Sequence, residues 1–162
     1  MGELSHVDDL GRARMVDVGE KPDTVREARA RGAVLMQPST LKLIQRNEIQ
    51  KGDVLAVAKI AGIMAAKRTA ELIPLCHPLP LTHVDLSFRL HADRGALEIE
   101  SVARVTGKTG VEMEALTAVA AAALTVYDMC KAADREMTIA EICLVEKRGG
   151  RSGVFRRSGE PE

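Results

Sequence analysis

Residues 106–131, TGKTGVEMEALTAVAAAALTVYDMCK, constrain the fold more than any other stretch of the chain. Thr109-Gly110-Val111-Glu112 has the S/T-x-x-E form of a capping box, which predicts a helix over about residues 110–133. Alanines at 115, 118 and 120–123 put almost no side chain on one flank. Another backbone can then approach closely, so this helix is expected to lie flat on a sheet. The chain has 162 residues, enough for one domain with a real core. Hydrophobic content is 46% but aromatic content only 2%, so the core must be aliphatic. Few aromatics also leave no stacking platform for single-stranded nucleic acid.

Strict alternation supplies the sheet. In residues 83–91 the even positions are Val84, Leu86, Phe88 and Leu90, and the odd ones are His83, Asp85, Ser87, Arg89 and His91. That is the pattern of a half-buried strand. Asp93-Arg94-Gly95 turns the chain, and residues 96–105 return as the second strand of a hairpin. Residues 137–147 read as a last strand. Residues 24–36 carry both helix formers and a β-branched end stopped at Pro38, and read as a strand. A short strand is expected at 15–18. Ser39 or Thr40 can cap a short helix to about Asn47. Asp53 caps a longer one over 54–73, stopped by Pro74, with Val54, Ala58, Ala61, Ala65, Thr69 and Leu72 inward. The resulting order is the β-α-β-β-α-β plan of an α+β, ferredoxin-like domain, with an additional short helix and an N-terminal strand. The domain is expected over residues 1–147, followed by a polar, Gly- and Arg-rich, flexible tail at 148–162.

The formal charge is zero, from 23 basic and 23 acidic residues, which argues against nucleic-acid or membrane-surface binding. Any anionic ligand must be held by a local cluster. Cys76, Cys130 and Cys143 form no CxxC pair, and no signal peptide is recognised, so a reduced, cytoplasmic protein is expected. No apolar run is expected to span a bilayer.

Asp128 and Lys131 share a helix face three residues apart, next to an apolar stretch. They read either as an acid–base pair or as an ordinary ion pair. Lys51 stands at a loop-to-helix junction, presenting an amine or simply exposed. Leu75-Cys76-His77-Pro78 lies between prolines, so His77 is held either to orient a ligand or within a structural turn. Cys76, His77 and His83 match no zinc spacing, so no metal site is expected. Gly107-Lys108-Thr109 fails as a P-loop, because Val102 stands where the first glycine belongs. Met113 and Glu114 fall in the first helical turn, where the macrodipole favours the acid. Glu112 is explained by the capping box. Lys21, Arg26, Lys67 and Lys147 are scattered cations.

Three motifs, MVDVGEKPDTVREA (15–28), KGDVLAVAKIAGIMAAKRTAELIPLCHPLPL (51–81) and TGKTGVEMEALTAVAAAALTVYDMCKA (106–132), resemble the MoaC family of molybdenum cofactor biosynthesis. The resemblance implies a lyase-type reaction. It converts (8S)-3',8-cyclo-7,8-dihydroguanosine 5'-triphosphate into cyclic pyranopterin monophosphate and pyrophosphate. It implies catalytic duty for Asp128, Lys51 and Lys131. It implies substrate contacts at Leu75, Cys76, His77, Met113 and Glu114, with Lys21, Arg26, Lys67 and Lys147 as further phosphate or pterin contacts. No cofactor is implied, although Mg²⁺ can accompany the phosphates. A homohexamer, a trimer of dimers with the site shared across a dimer interface, is implied as well. The Gly-rich loop departs from the family pattern, with Arg151 where Lys is frequent. The rival from another class is a non-catalytic, ferredoxin-like module that binds a nucleotide for regulation. A structural subunit of a larger complex is a third reading.

Overall fold

The computed structural model describes residues 10–159. The elements in chain order are β1 (Thr24–Leu35), α1 (Pro38–Gln45), α2 (Val54–Lys67), α3 (Thr69–Leu72), β2 (His83–His91), β3 (Ala96–Gly107), α4 (Glu112–Cys130), β4 (Thr138–Arg148) and β5 (Phe155–Arg156). The strands form one antiparallel sheet in the order β2-β3-β1-β4-β5. The first four strands and the helices between them give the ferredoxin-like α+β arrangement.

β1 is the central strand, paired along nearly its whole length with β3 and with β4. Its Ala, Arg and Glu content favours helix in isolation, but pairing on both sides satisfies its backbone and decides the outcome. Alternate residues Ala28, Ala30 and Val34 are fully buried towards the helices, as are Leu97, Ile99, Ala103 and Val105 of β3. α4 lies over β1 and β3 and packs against α2. Its Ala115, Ala118, Val119, Ala122, Ala123 and Val126 have no exposed surface. The approach of α2 is close. A Cβ at Gly62 would stand 2.6 Å from Leu86 Cδ2 and 2.9 Å from the Ala118 carbonyl, so only glycine fits without movement. The opposite sheet face is charged, with the pairs Arg29–Glu100, Arg89–Glu98 and Arg104–Glu27 running across the strands.

Several expectations change. Residues 15–18 are not a strand; a single bridge residue, Ala13, is the nearest trace of pairing. α1 begins at Pro38 itself. Gln37 is its N-cap without a side-chain bond, and the cap comes from far along the chain: Asp134 Oδ2 accepts the Gln37 N–H at 2.9 Å. Asp53 does cap α2, accepting from Ala56 N at 2.9 Å. The single helix expected over 54–73 breaks at Arg68, where the Thr69 hydroxyl donates back to the Ala66 carbonyl at 2.9 Å. Leu72 is exposed, and Gly62 and Ala66 join Val54, Ala58 and Thr69 on the inner face. The capping box does not form: α4 starts at Glu112 after an N-cap at Val111 with no side-chain bond, and ends at Cys130.

The tail is not free where it is described. β4 runs to Arg148, and β5 pairs Arg156 with Glu146 and Phe155 with Lys147. Glu146, 5% exposed, holds this return through Arg148 Nε at 2.7 Å and Arg156 Nη2 at 3.3 Å, and both cations keep its carboxyl below the usual range. Residues 1–9 of the expected domain and 160–162 of the expected tail lie outside the described residues. By length and composition alone, α4 is apolar enough to cross a membrane, with a mean hydropathy of 1.3, contrary to expectation. Its place over the sheet accounts for that composition, since half of it is buried inside the fold.

Candidate functional site

α2 and α4 run antiparallel, so each end of the pair gathers groups distant in sequence. At the N-terminal end of α4, a cavity of about 420 Å³ is lined by Lys21, Arg26, Leu75, Cys76, His77, Met113, Glu114 and Lys147. Eight of the candidates are thus brought together. The cavity also takes Val16, Val18, Glu27, Glu112, Arg148 and Ser152, which carry no site signal in the sequence.

The Leu75–His77 turn follows α3 and faces the first turn of α4. His77 Nε2 lies 2.8 Å from the Val16 carbonyl. A carbonyl only accepts, so Nε2 carries the hydrogen of this bond. This bond ties the segment containing Val16 and Val18 across the cavity, and Lys108 Nζ donates to the Gly19 carbonyl in the same segment. Glu112, freed from any capping role, pairs with Lys147 at 3.2 Å. Lys147 Nζ also donates to Ser152 Oγ at 2.7 Å.

Glu114 is 4% exposed. Burial pushes its carboxyl up to about 7, and the neighbouring charge of Glu112 adds to this against the pull of its own backbone N–H. Such a group can hold or release a proton near neutrality. Burial also raises the Cys76 thiol, with Glu114 contributing. Met113 is partly exposed at the rim.

The other end differs in kind. Asp128, in the last turn of α4, sits between two amines: Lys51 Nζ is 2.8 Å from Oδ2 and Lys131 Nζ is 2.7 Å from Oδ1. Lys51 Nζ also donates to the Asp128 carbonyl at 2.8 Å. The Lys131 and Lys51 hydrogen bonds, in that order, hold the Asp128 carboxyl down at about 2. All three side chains are about half exposed, so water screens the charges and the group remains accessible. Asp53, two residues beyond Lys51, caps α2 and fixes the junction from which Lys51 reaches out.

These two clusters do not meet within one chain. Glu114 and Asp128 are fourteen residues apart on α4, roughly 21 Å at ~1.5 Å rise per residue. Lys67, the last residue of α2, is exposed and lines neither this cavity nor a second one beside Arg26. Among the described residues no group of three or more His, Cys, Asp and Glu side chains is placed to hold a metal ion. The three cysteines are free.

Comparison with known proteins gives one consistent result. A family model described as "MoaC family" matches residues 15–150. A cyclic pyranopterin monophosphate synthase from Thermomicrobium roseum is 62% identical over 160 residues, covering 99% of this chain and 96% of that protein. Proteins of the same name from a Roseiflexus species and from Chloroflexus aggregans are 63% and 64% identical over 155 residues. Each covers 96% of this chain, with 98% and 94% of the respective relative matched.

Proposed function

We propose the activity from a premise that matches along nearly the whole chain supply: the chain belongs to the MoaC family. It is an enzyme of molybdenum cofactor biosynthesis, a cyclic pyranopterin monophosphate synthase. It converts (8S)-3',8-cyclo-7,8-dihydroguanosine 5'-triphosphate into cyclic pyranopterin monophosphate and pyrophosphate.

The reaction opens the purine imidazole ring and closes a new six-membered ring, moving protons on and off nitrogen and oxygen. A substrate hydroxyl then attacks the α-phosphorus. The Pα–O bond to the β-phosphate breaks, pyrophosphate leaves with the bonding pair, and a base takes the hydroxyl proton. What supports assigning the proton transfers to Lys51, Asp128 and Lys131 is their convergence: the amines of Lys51 and Lys131 come within 2.7–2.8 Å of the Asp128 carboxylate. Asp128 stays ionised, orients both amines and offsets their charge.

The cavity at the other end of α4 binds the ligand. Leu75, Met113 and the ring of His77 bound it, and Lys21, Arg26 and Lys147 face its phosphates. Charge stabilisation on the departing pyrophosphate falls to these cations. No organic cofactor enters this proposal, and Mg²⁺ accompanies the phosphates at most. Because roughly 21 Å separates Glu114 from Asp128 along α4, the site is completed by a second copy whose Asp128 end faces this cavity across a two-fold axis. A hexamer built as a trimer of such dimers, in the cytoplasm, is the assembly in this reading. The charged sheet face and the exposed apolar residues Val57, Ile60 and Met64 of α2 are the surfaces available for association.

The test is turnover of the authentic substrate by Lys51→Ala and Asp128→Ala. Wild-type rates in both would remove these residues from the reaction. Pyrophosphate release by the unmodified protein separates the enzyme from the regulatory module, which binds without turnover.

A further inference from the structure

Asp134 is a carboxylate only 3% exposed, and no step of the proposed reaction uses it. Burying a carboxylate is costly unless donors surround it. Three donors converge on this one. Oδ2 accepts the Gln37 N–H at 2.9 Å and the Thr40 hydroxyl at 3.4 Å, and Oδ1 accepts the Glu136 N–H at 3.0 Å. Thr40 is buried as well. One carboxylate thus binds the first turn of α1 to the turn that follows α4.

Each of these two segments leads to one of the amines at Asp128. On the first side, α1 has eight residues, no acid in its first turn and no side-chain cap of its own. A helix that short does not hold itself together in water. Its place depends on Leu41 and Ile44 in the core and on the negative charge that Asp134 sets at its positive end. From α1 to Lys51 the chain is a run of bonded turns. Glu48 N donates to the Leu43 carbonyl and Gly52 N to the Ile49 carbonyl, both at 2.9 Å, and Ile49 is buried. The base of Lys51 therefore moves with α1. On the second side, Lys131 N donates to the Tyr127 carbonyl at 2.9 Å, and the N–H groups of Ala133 and Asp134 donate to the Cys130 carbonyl at 2.8 and 3.1 Å. The Tyr127 hydroxyl donates to the Arg135 carbonyl at 3.2 Å. The base of Lys131 therefore moves with Asp134. The Cys130 thiol feels both sides: burial pushes it up to about 11, Asp134 adds to the rise and Lys51 opposes it.

A polar residue at position 37 could cap α1 without burying a charge. The long-range cap adds something a local one does not, a fixed relation between two segments distant in sequence. We propose that Asp134 is a positioning residue that fixes Lys51 and Lys131 relative to each other on either side of Asp128. The inference rests on the proposed reaction only for the use made of those amines. Buried as it is, Asp134 acts through the two backbone segments and exchanges no proton with the ligand.

The experiment compares the full-length protein with Asp134→Asn. Asparagine keeps the size but turns an N–H donor towards one of the backbone N–H groups. For the cyclised substrate, kcat per folded molecule is expected to fall about 10–10²-fold, as it does when reacting groups are misplaced by about 1 Å. KM is expected to stay within about twofold, because the ligand cavity takes no residue from this junction. A second readout needs no turnover: acetylation of each lysine by an amine-reactive ester, read by mass spectrometry. Lys51 and Lys131 are expected to react several-fold faster in Asp134→Asn, and Lys67, exposed at the far end of α2, at its wild-type rate. Thr40→Val removes one donor while keeping the shape. It is expected to shift both readouts the same way by less, and it decides the matter if Asp134→Asn does not fold. A lowered thermal midpoint with unchanged kcat and unchanged acetylation would make Asp134 a stabilising cap and overturn the proposal. Acetylation rising equally at Lys67 would overturn it too, as a general loosening of the fold. Faster acetylation confined to Lys51 and Lys131, with wild-type kcat, would uphold the positioning role and instead remove the two amines from the proposed reaction.

Discussion

Glu114 and Asp128 are carboxylates on the same helix, and their surroundings drive them in opposite directions. Glu114, enclosed between the first turn of α4 and the Leu75–His77 turn, is pushed up to about 7 by burial. Asp128, half exposed between two ammonium groups, is held at about 2. Residue type decides neither state. What decides is which neighbours the antiparallel α2–α4 pair brings to each end. One end can exchange a proton near neutrality, and the other keeps a fixed negative charge that organises two amines.

Neutralising the charged end should erase the contrast most severely. Asp128→Asn keeps the shape and removes the charge between Lys51 and Lys131. Turnover should fall about 10²–10⁴-fold, the range of a lost acid–base function, with little change in substrate affinity or thermal midpoint. A parallel drop in affinity would move Asp128 into binding instead.

Glu114→Gln should show the opposite profile, a stability effect that depends on pH. The folded chain binds the Glu114 proton more tightly than the unfolded chain, so between about 4.5 and about 7 the wild type loses stability as pH rises. Above that window the glutamine variant should be the more stable, by roughly 3 kcal/mol at most, and the advantage should vanish towards pH 4.5. Urea midpoints measured across the window check this. A constant difference at every pH would mean the carboxyl is not held high. Asp128 works the other way: its ion pairs are present above its ordinary value of 3.8 and are lost only as pH falls through about 2, so it should not contribute in that window.

A milder substitution probes the helix spacing that both ends share. Gly62→Ala drives a methyl into Leu86 and the Ala118 carbonyl, which should lower stability by about 1–3 kcal/mol. Turnover per folded molecule should change little, because no site group is touched. A large loss of turnover would show that the helix spacing itself sets the site.

The hairpin and α4 were legible in the sequence because their signals are local: strict alternation over residues 83–91, and alanines on one helical flank. β1 was legible only in its Pro38 stop and β-branched end, since its composition pulled towards helix. β5 and the ordered turn before it were not legible, because their stability comes from Glu146 meeting Arg156 across the sheet, a pairing no sequence spacing records. The same applies to the Asp134 cap of α1. At the site, Asp128 and Lys131 are three residues apart and readable as a pair. Lys51 joins them only through the tertiary fold. Val16, Arg148 and Ser152 line the cavity from segments whose polar or irregular sequence carries no periodicity. The S/T-x-x-E spacing points Glu112 to a cap that does not form and hides its pairing with Lys147.

Whether the two ends of α4 act together across subunits can be decided by complementation. Lys51→Ala disables one end and Arg26→Ala the other. Co-expressed with different tags at equal levels and purified as mixed assemblies, the two inactive variants should recover about a quarter of wild-type turnover, because half the dimers are mixed and each mixed dimer restores one of its two sites. Activity no higher than that of either variant alone would contradict a shared site and require both ends to serve one reaction within a single chain.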